Sequence, residues 1–205
     1  MNAITRTAAG REAGRTAAPQ VRVWDPLVRL FHWSLAACTF GAFLVEEGDT
    51  AHRFLGCTAL GLVAFRLLWG VVGSRHARFG DFVRGPRAVI AYLRERLSGR
   101  SQRRLGHNPA GAVMVLLLLA GVFAVGLTGW MQTLDAFWGA EWLEDVHEAL
   151  AYGLLAFVAV HVLAAIVESV HYRENLVAAM FHGRKRALEG AEVAPGQGLP
   201  GEPRP

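Results

Sequence analysis

Hydrophobic residues run almost without interruption through four stretches of the chain, at about Leu27–Val45, His52–Val72, Pro109–Met131 and His147–Val170. Each is long enough to cross ~30 Å of hydrocarbon, which takes ~20 helical residues. None alternates as a barrel strand does, and inside a bilayer only helices and closed barrels satisfy every backbone group. The pattern therefore predicts an all-α integral membrane protein, a four-helix bundle of four transmembrane helices. Residues 1–20, rich in Ala, Arg, Thr and Gly, and residues 187–205, with several Gly and Pro, read as disordered tails around a transmembrane domain over 21–186. The first apolar run follows too long a polar lead to be a signal peptide. Two amphipathic stretches lie outside the spans. Pro86 can open a helix with Val89, Ile90, Leu93 and Leu97 along one side and Arg87, Arg94 and Arg96 on the other. Asn175–Leu188 sets Leu176, Val177, Met180 and Phe181 against Arg184, Lys185 and Arg186. Both suit an interfacial helix on anionic lipid, and both are equally compatible with a solvated basic loop.

The 205 residues are 53% hydrophobic, too apolar for an ordinary soluble domain. The formal net charge is +4, and its distribution matters more than its size. Arg6, Arg11, Arg15, Arg22 and Arg29 lie before or at the start of the first span, nine arginines fall between Arg75 and Arg104, and Arg173, Arg184, Lys185 and Arg186 follow the last span. The two other loops are acidic, with Glu46, Glu47 and Asp49 in one and Asp135, Glu141, Glu144 and Asp145 in the other. The positive-inside rule then puts both termini and the middle loop in the cytoplasm, and the acidic loops in the periplasm of a bacterial inner membrane. The basic residues mark topology, so the lipid bilayer is the expected partner and nucleic acid is not. Cys38 and Cys57 read as small buried thiols. No C-x-x-C-H is present for covalent haem attachment.

Four histidines sit within or at the mouths of the spans: His32, His52, His147 and His161. His147 and His161 share one span, fourteen residues apart. In a helix that is ~21 Å along the axis and only ~40° short of four full turns, so both imidazoles point from nearly one face at two depths. Ionisable groups at such depths are rare and usually functional. With alternating spans, His32 shares the cytoplasmic half with His161, and His52 is level with His147. Neutral imidazole ligates haem iron, and each pair can supply two axial nitrogens. The expectation is two stacked haems, His32 with His161 and His52 with His147, and bis-histidine ligation favours electron transfer over oxygen chemistry. Gly56, four residues after His52 on the same face, leaves room for a macrocycle. Arg66, fourteen residues after His52, faces the deeper layer, where a haem propionate would pair with it; snorkelling to the nearby interface is the alternative. Gly41, Gly121, Gly126 and Gly129 read as close helix packing. His171 and His182 read as surface residues, whereas His76 and His107 are candidates for lining a quinone or propionate site. Two rival readings are a cofactor-free membrane anchor subunit for a soluble redox enzyme, and a metal-ion transporter; the latter needs more acidic or His ligands near the midplane than the spans offer.

The segments Val23-Trp24-Asp25-Pro26 to Phe31-His32-Trp33, His52-Arg53-Phe54-Leu55-Gly56, Phe65-Arg66-Leu67-Leu68-Trp69-Gly70 and Val146-His147-Glu148, with His161, carry a family likeness. From about Val23 to Arg186 the chain resembles the bacterial cytochrome b561 family, which includes the b-type cytochrome subunits of nickel–iron hydrogenases. The resemblance implies a four-helix cytochrome with two b haems, His32, His52, His147 and His161 as ligands, and electron exchange with the quinone pool of a respiratory chain. Hydrogenase-linked relatives often carry a further span, so four spans favour the shorter stand-alone type. The segment from Glu174 to Arg186 resembles members associated with periplasmic c-type cytochromes. The expected redox partner is therefore such a cytochrome or a membrane-bound dehydrogenase.

Overall fold

The computed structural model describes residues 20–75, 77–99 and 106–187. The chain runs β1 (Gln20–Arg22), α1 (Pro26–Leu44), α2 (Thr50–Val72), α3 (Phe79–Phe82), α4 (Pro86–Leu97), α5 (Pro109–Met131), a 3-10 turn at Asp135–Phe137, α6 (Glu141–His171), α7 (Leu176–His182) and β2 (Arg184–Arg186). Four of these helices, α1, α2, α5 and α6, are long and apolar enough to cross a membrane. Their starts follow capping chemistry. Asp25 accepts from the Val28 amide (2.8 Å) ahead of Pro26, and Asn108 accepts from the Gly111 amide (2.6 Å) ahead of Pro109.

The long helices pack in the order α1–α2–α5–α6. One core cluster draws on all four, with Phe31 and Cys38 from α1, Ala59 and Val63 from α2, Leu119 and Val122 from α5, and Leu154 from α6. Close approach depends on small residues, as the sequence predicts for helices with no hydrophobic drive to associate in lipid. A Cβ on Gly126 of α5 would stand 2.5 Å from Leu60 Cγ of α2, and one on Gly121 would stand 3.1 Å from Leu154 Cδ1 of α6. Gly41 meets Leu55 at 3.2 Å in the same way. The outer surface keeps Phe54, Leu68, Val72 and Leu163 exposed, which suits lipid contact.

The helix boundaries match the expected spans except at α6. It starts at Glu141 rather than His147, because helix does not need apolar residues once it leaves the hydrocarbon. Glu141 and Glu144 in its first turn also favour the positive end of the helix dipole. Its 31 residues extend ~46 Å, so part of it must stand beyond a ~30 Å core. Cys57 is exposed rather than buried, since it lies on the outer side of α2, while Cys38 is buried as expected; both are free thiols.

Both ends of the described chain meet at the arginine-rich end of the bundle. β1 and β2 pair antiparallel, with Val21 opposite Lys185. The expectation of one amphipathic stretch through Asn175–Leu188 is therefore corrected. Its helix stops at His182, where Gly183 adopts φ 78°, and the basic residues continue as a strand; Leu188 lies outside the described residues. Gly183 is required twice over, since a Cβ there would also press on the Trp24 carbonyl at 2.6 Å. Its own carbonyl accepts from the Val23 and Trp24 amides (2.9 and 3.1 Å). The tails expected over 1–20 and 187–205 fall outside the described residues, except that Gln20 belongs to β1 and Ala187 is buried. The stretch after Pro86 is a helix, but Ile90, Leu93 and Leu97 are exposed and Tyr92 is its buried residue. Arg96, expected on its outer side, turns inward to pair with Glu168 of α6 at 3.1 Å.

Asp25 ties this end together. Besides capping α1, its carboxylate accepts from the Trp69 indole (3.3 Å) of α2 and from the Ser74 hydroxyl just beyond it. Burial pushes its carboxyl up, but the hydrogen bonds from Ser74, the Val28 amide and Trp69 outweigh this and hold it below the usual carboxylate range. The depressed folded value makes the stabilisation complete above the unfolded pKa and removes it as pH falls through the folded one. Asp25→Ala should cost ~1–2 kcal/mol from the cap alone, a loss of ~2–8 °C in Tm. Thermal melts followed by circular dichroism at pH 7 should show that gap, and it should narrow as the pH falls below the ordinary carboxylate range. A gap that stays constant with pH would contradict the role of the ionised carboxylate.

Candidate functional site

The histidines of α6 lie on a heptad line, His147, Leu154, His161, so that each step advances ~10.5 Å and returns nearly to the same face. α2 repeats the device with His52, Ala59 and Arg66. Leu154 and Ala59, the middle members, are both buried in the core cluster and separate an upper from a lower polar layer. α6 packs most closely on α5, and toward α1 and α2 it presents its two imidazoles.

All four histidines expected at the site come together in the expected pairs. The His32 and His161 rings stand 6.4 Å apart between centroids, and those of His52 and His147 stand 6.2 Å apart. A nitrogen–metal bond of ~2 Å on each side, with ~1.2 Å from each nitrogen to its ring centre, adds up to ~6.4 Å. The separation thus fits a single metal ion held between two facing imidazoles in each layer. Among the described residues no group of three or more His, Cys, Asp or Glu could hold a metal ion. Two imidazoles in each layer would suit a group that supplies most of its metal's ligands itself.

Hydrogen bonds orient the pair nearest the acidic loops. His52 Nδ1 lies 3.0 Å from the Ala42 carbonyl. Ala42 sits in the last turn of α1, where carbonyls have no partner within the helix, and a carbonyl can only accept. His52 therefore carries its proton on Nδ1 and its lone pair on Nε2. His147 Nδ1 lies 2.9 Å from Thr128 Oγ1 of α5. The Thr128 hydroxyl has the Ala124 and Val125 carbonyls of its own helix within reach (3.0 Å each), and its hydrogen turned to either leaves the oxygen to accept from a His147 Nδ1–H. Gly129 beside it gives the ring its space, since a Cβ there would stand 3.0 Å from His147 Cε1. Gly129 thus packs against a site residue, whereas the other three glycines pack against leucines.

The second layer is built differently. His32 meets the edge of Trp33 at 5.0 Å, and Trp33 stacks on Phe181 of α7 at 4.2 Å. His32 Nδ1 is buried with no hydrogen-bond partner among the described residues. The Phe31 and Phe65 rings, with centroids 6.5 Å apart, join α1 to α2 beside this layer. Arg66 is 3% exposed. Its guanidinium donates from Nη2 to the Ala77 carbonyl (3.0 Å) and lies 4.7 Å over the Phe79 ring, while Nη1 has no partner among the described residues. The arginine therefore reaches the loop after α2, as snorkelling predicts, yet stays buried with one donor group unspent. Gly56 has nothing within 4 Å of a Cβ position, as space for a macrocycle requires.

His107 packs its ring against Trp24 (4.7 Å) and Phe82 (4.6 Å) at the arginine-rich end, away from both pairs. His171 lies 3.4 Å from Arg96, and His182 accepts from the Arg184 amide, so both belong to the surface of that end. His76 lies outside the described residues. Thr128 and the Ala42 carbonyl went unread in the sequence. A threonine in an apolar span was the only signal for the first, and a backbone carbonyl carries none.

Comparison with known proteins identifies the family. The profile described as prokaryotic cytochrome b561 matches residues 23–183. The chain is 26% identical over 229 positions to a protein of Cupriavidus necator named a probable Ni/Fe-hydrogenase B-type cytochrome subunit, covering 87% of this chain and 92% of that one. A protein of the same name from Bradyrhizobium diazoefficiens is 26% identical, covering 90% of this chain and 92% of its own. A third, from Rhodobacter capsulatus, is 26% identical over 80% of this chain and 81% of its own. No solved structure matches. With its four membrane-crossing helices, the chain belongs to the prokaryotic cytochrome b561 family of b-type cytochromes, multi-pass membrane proteins of electron transport.

Proposed function

We propose that this protein is a dihaem cytochrome b that passes single electrons across the membrane between the quinone pool and a redox partner. The observation that carries this is the pair of imidazole separations, 6.4 and 6.2 Å, at two levels of one bundle. His32 and His161 would hold one haem b, and His52 and His147 the other. The bound groups would supply reversible one-electron couples of iron. The chain contributes ligation, orientation and burial. Nδ1–H bonds to Ala42 and Thr128 leave Nε2 of His52 and His147 as the ligating atoms. The unspent Nη1 of buried Arg66 suits a propionate carboxylate, and Gly56 suits a macrocycle edge. A membrane anchor without cofactors would need none of these features.

Among the described residues the arginine-rich segments gather at one end of the bundle, which supports the positive-inside assignment of that end to the cytoplasm. The His32–His161 layer is then cytoplasmic, the His52–His147 layer periplasmic, and the membrane the inner one. The names of the three relatives make a nickel–iron hydrogenase the first partner to test, against the stand-alone type that the span count favours. A membrane-bound dehydrogenase of this kind, or a periplasmic c-type cytochrome, would meet the acidic loops, whose charge steers a basic surface.

Purified protein should give a reduced-minus-oxidised spectrum of b type and about two haems per chain in a pyridine haemochrome assay. One haem or none would refute the proposal. His161→Ala should remove only the haem shared with His32, and His147→Ala only the one shared with His52. Equal loss of both from either substitution, in protein that remains folded by circular dichroism, would refute the pairing. Quinol oxidation with hydrogenase or cytochrome c as the other partner would identify the physiological couple.

A further inference from the structure

The two imidazole layers differ in what lies behind the rings. In the His52–His147 layer both Nδ1 atoms have acceptors, the Ala42 carbonyl at 3.0 Å and Thr128 Oγ1 at 2.9 Å. In the other layer His32 Nδ1 is buried and has no partner among the described residues. An imidazole that donates its second N–H is a more basic ligand, and a more basic ligand stabilises the oxidised iron. The buried guanidinium of Arg66, held at the arginine-rich end by the Ala77 carbonyl, would act in the same direction by favouring the reduced iron on its own side.

We infer that Thr128 is a positioning residue that acts through His147 to lower the reduction potential of one haem below that of the other. The inference rests on the dihaem proposal above. Thr128 suits the task because it is 9% exposed and its hydroxyl hydrogen is already committed to its own helix, at Ala124 and Val125. With that hydrogen turned to its own helix, the oxygen accepts from a His147 Nδ1–H. Gly129 follows directly and leaves the ring room to lie against that oxygen. The gradient that results makes an electron rest on the His32–His161 layer, at the arginine-rich end. With both haems bound, transfer from the acidic end to the basic end would be downhill.

The test is a potentiometric titration of the full chain in detergent, followed in the visible α band, for wild type, Thr128→Val and Thr128→Ser. Valine keeps the shape and removes the acceptor; serine keeps the oxygen. The expected result is that one of two components shifts to higher potential in Thr128→Val, the other stays in place, and Thr128→Ser titrates like wild type. The component that moves should be the one absent from His147→Ala, and its ferric low-spin electron paramagnetic resonance signal should change with it. If Thr128→Val binds one haem while Thr128→Ser binds two, the same conclusion follows, because an unheld imidazole loses its iron. Two haems in every variant with no selective shift, or a serine variant that shifts as far as the valine one, would overturn the role of Thr128 and leave the dihaem proposal standing. Fewer than two haems in wild type would overturn both.

Discussion

The separation between facing imidazoles is the constraint on which the rest of this bundle depends. A centroid separation near 6.3 Å matches two ring nitrogens each ~2 Å from one shared metal ion. It must be held by the backbones rather than by the rings themselves. Glycine contacts hold it. Gly126 lets α5 approach Leu60 of α2, and Gly121 lets α5 approach Leu154 of α6. α5 thus serves as the spacer that fixes α6 against α2, although it contributes no imidazole of its own. Overpacking by even one methyl at such a contact displaces a close-packed interior. A displacement of that kind would be read first at the imidazole pairs.

The arginine-rich end is organised by a second set of contacts that has nothing to do with hydrophobic patterning. Asp25 links the start of α1 to the end of α2, Gly183 links the end of α7 to Val23 and Trp24, and Arg96 links α4 to α6. A small cluster of Val23, Trp24, Val28 and Ala77, with Trp69 and Met180 against it, lies beneath them. These contacts fix the depth at which α1 begins, and hence the level of His32. The opposite end is tied by short loops and by imidazole hydrogen bonds. The two layers therefore stand in unlike surroundings, one beside a buried guanidinium and a tryptophan, the other beside a threonine and a helix-terminal carbonyl.

Much of this was legible in the chain because membrane insertion reduces the choices a sequence can make. Four apolar runs had to be helices, since lipid offers backbone groups no other partner. The heptad relation of His147 to His161, and of His52 to Arg66, needed only helical geometry. Less legible was anything depending on polar residues outside the hydrocarbon. α6 runs six residues beyond its apolar segment, the basic residues after Gly183 became a strand, and Arg96 turned toward Glu168. In each case a partner distant in sequence decided the outcome, and helical periodicity holds no record of such partners.

The sequence by itself determined that the chain crosses a membrane on four helices, that its arginines gather toward one side, and that its histidines fall into two depth-matched pairs. These follow from the one-dimensional order of apolar, charged and imidazole residues, because a helix of fixed rise converts position into depth. Only the tertiary structure decided which nitrogen of His52 and of His147 is engaged, how far apart the rings stand, and that Thr128 and the Ala42 carbonyl lie behind one pair. Those depend on helix rotation and spacing, which are set by close packing between segments far apart in the chain.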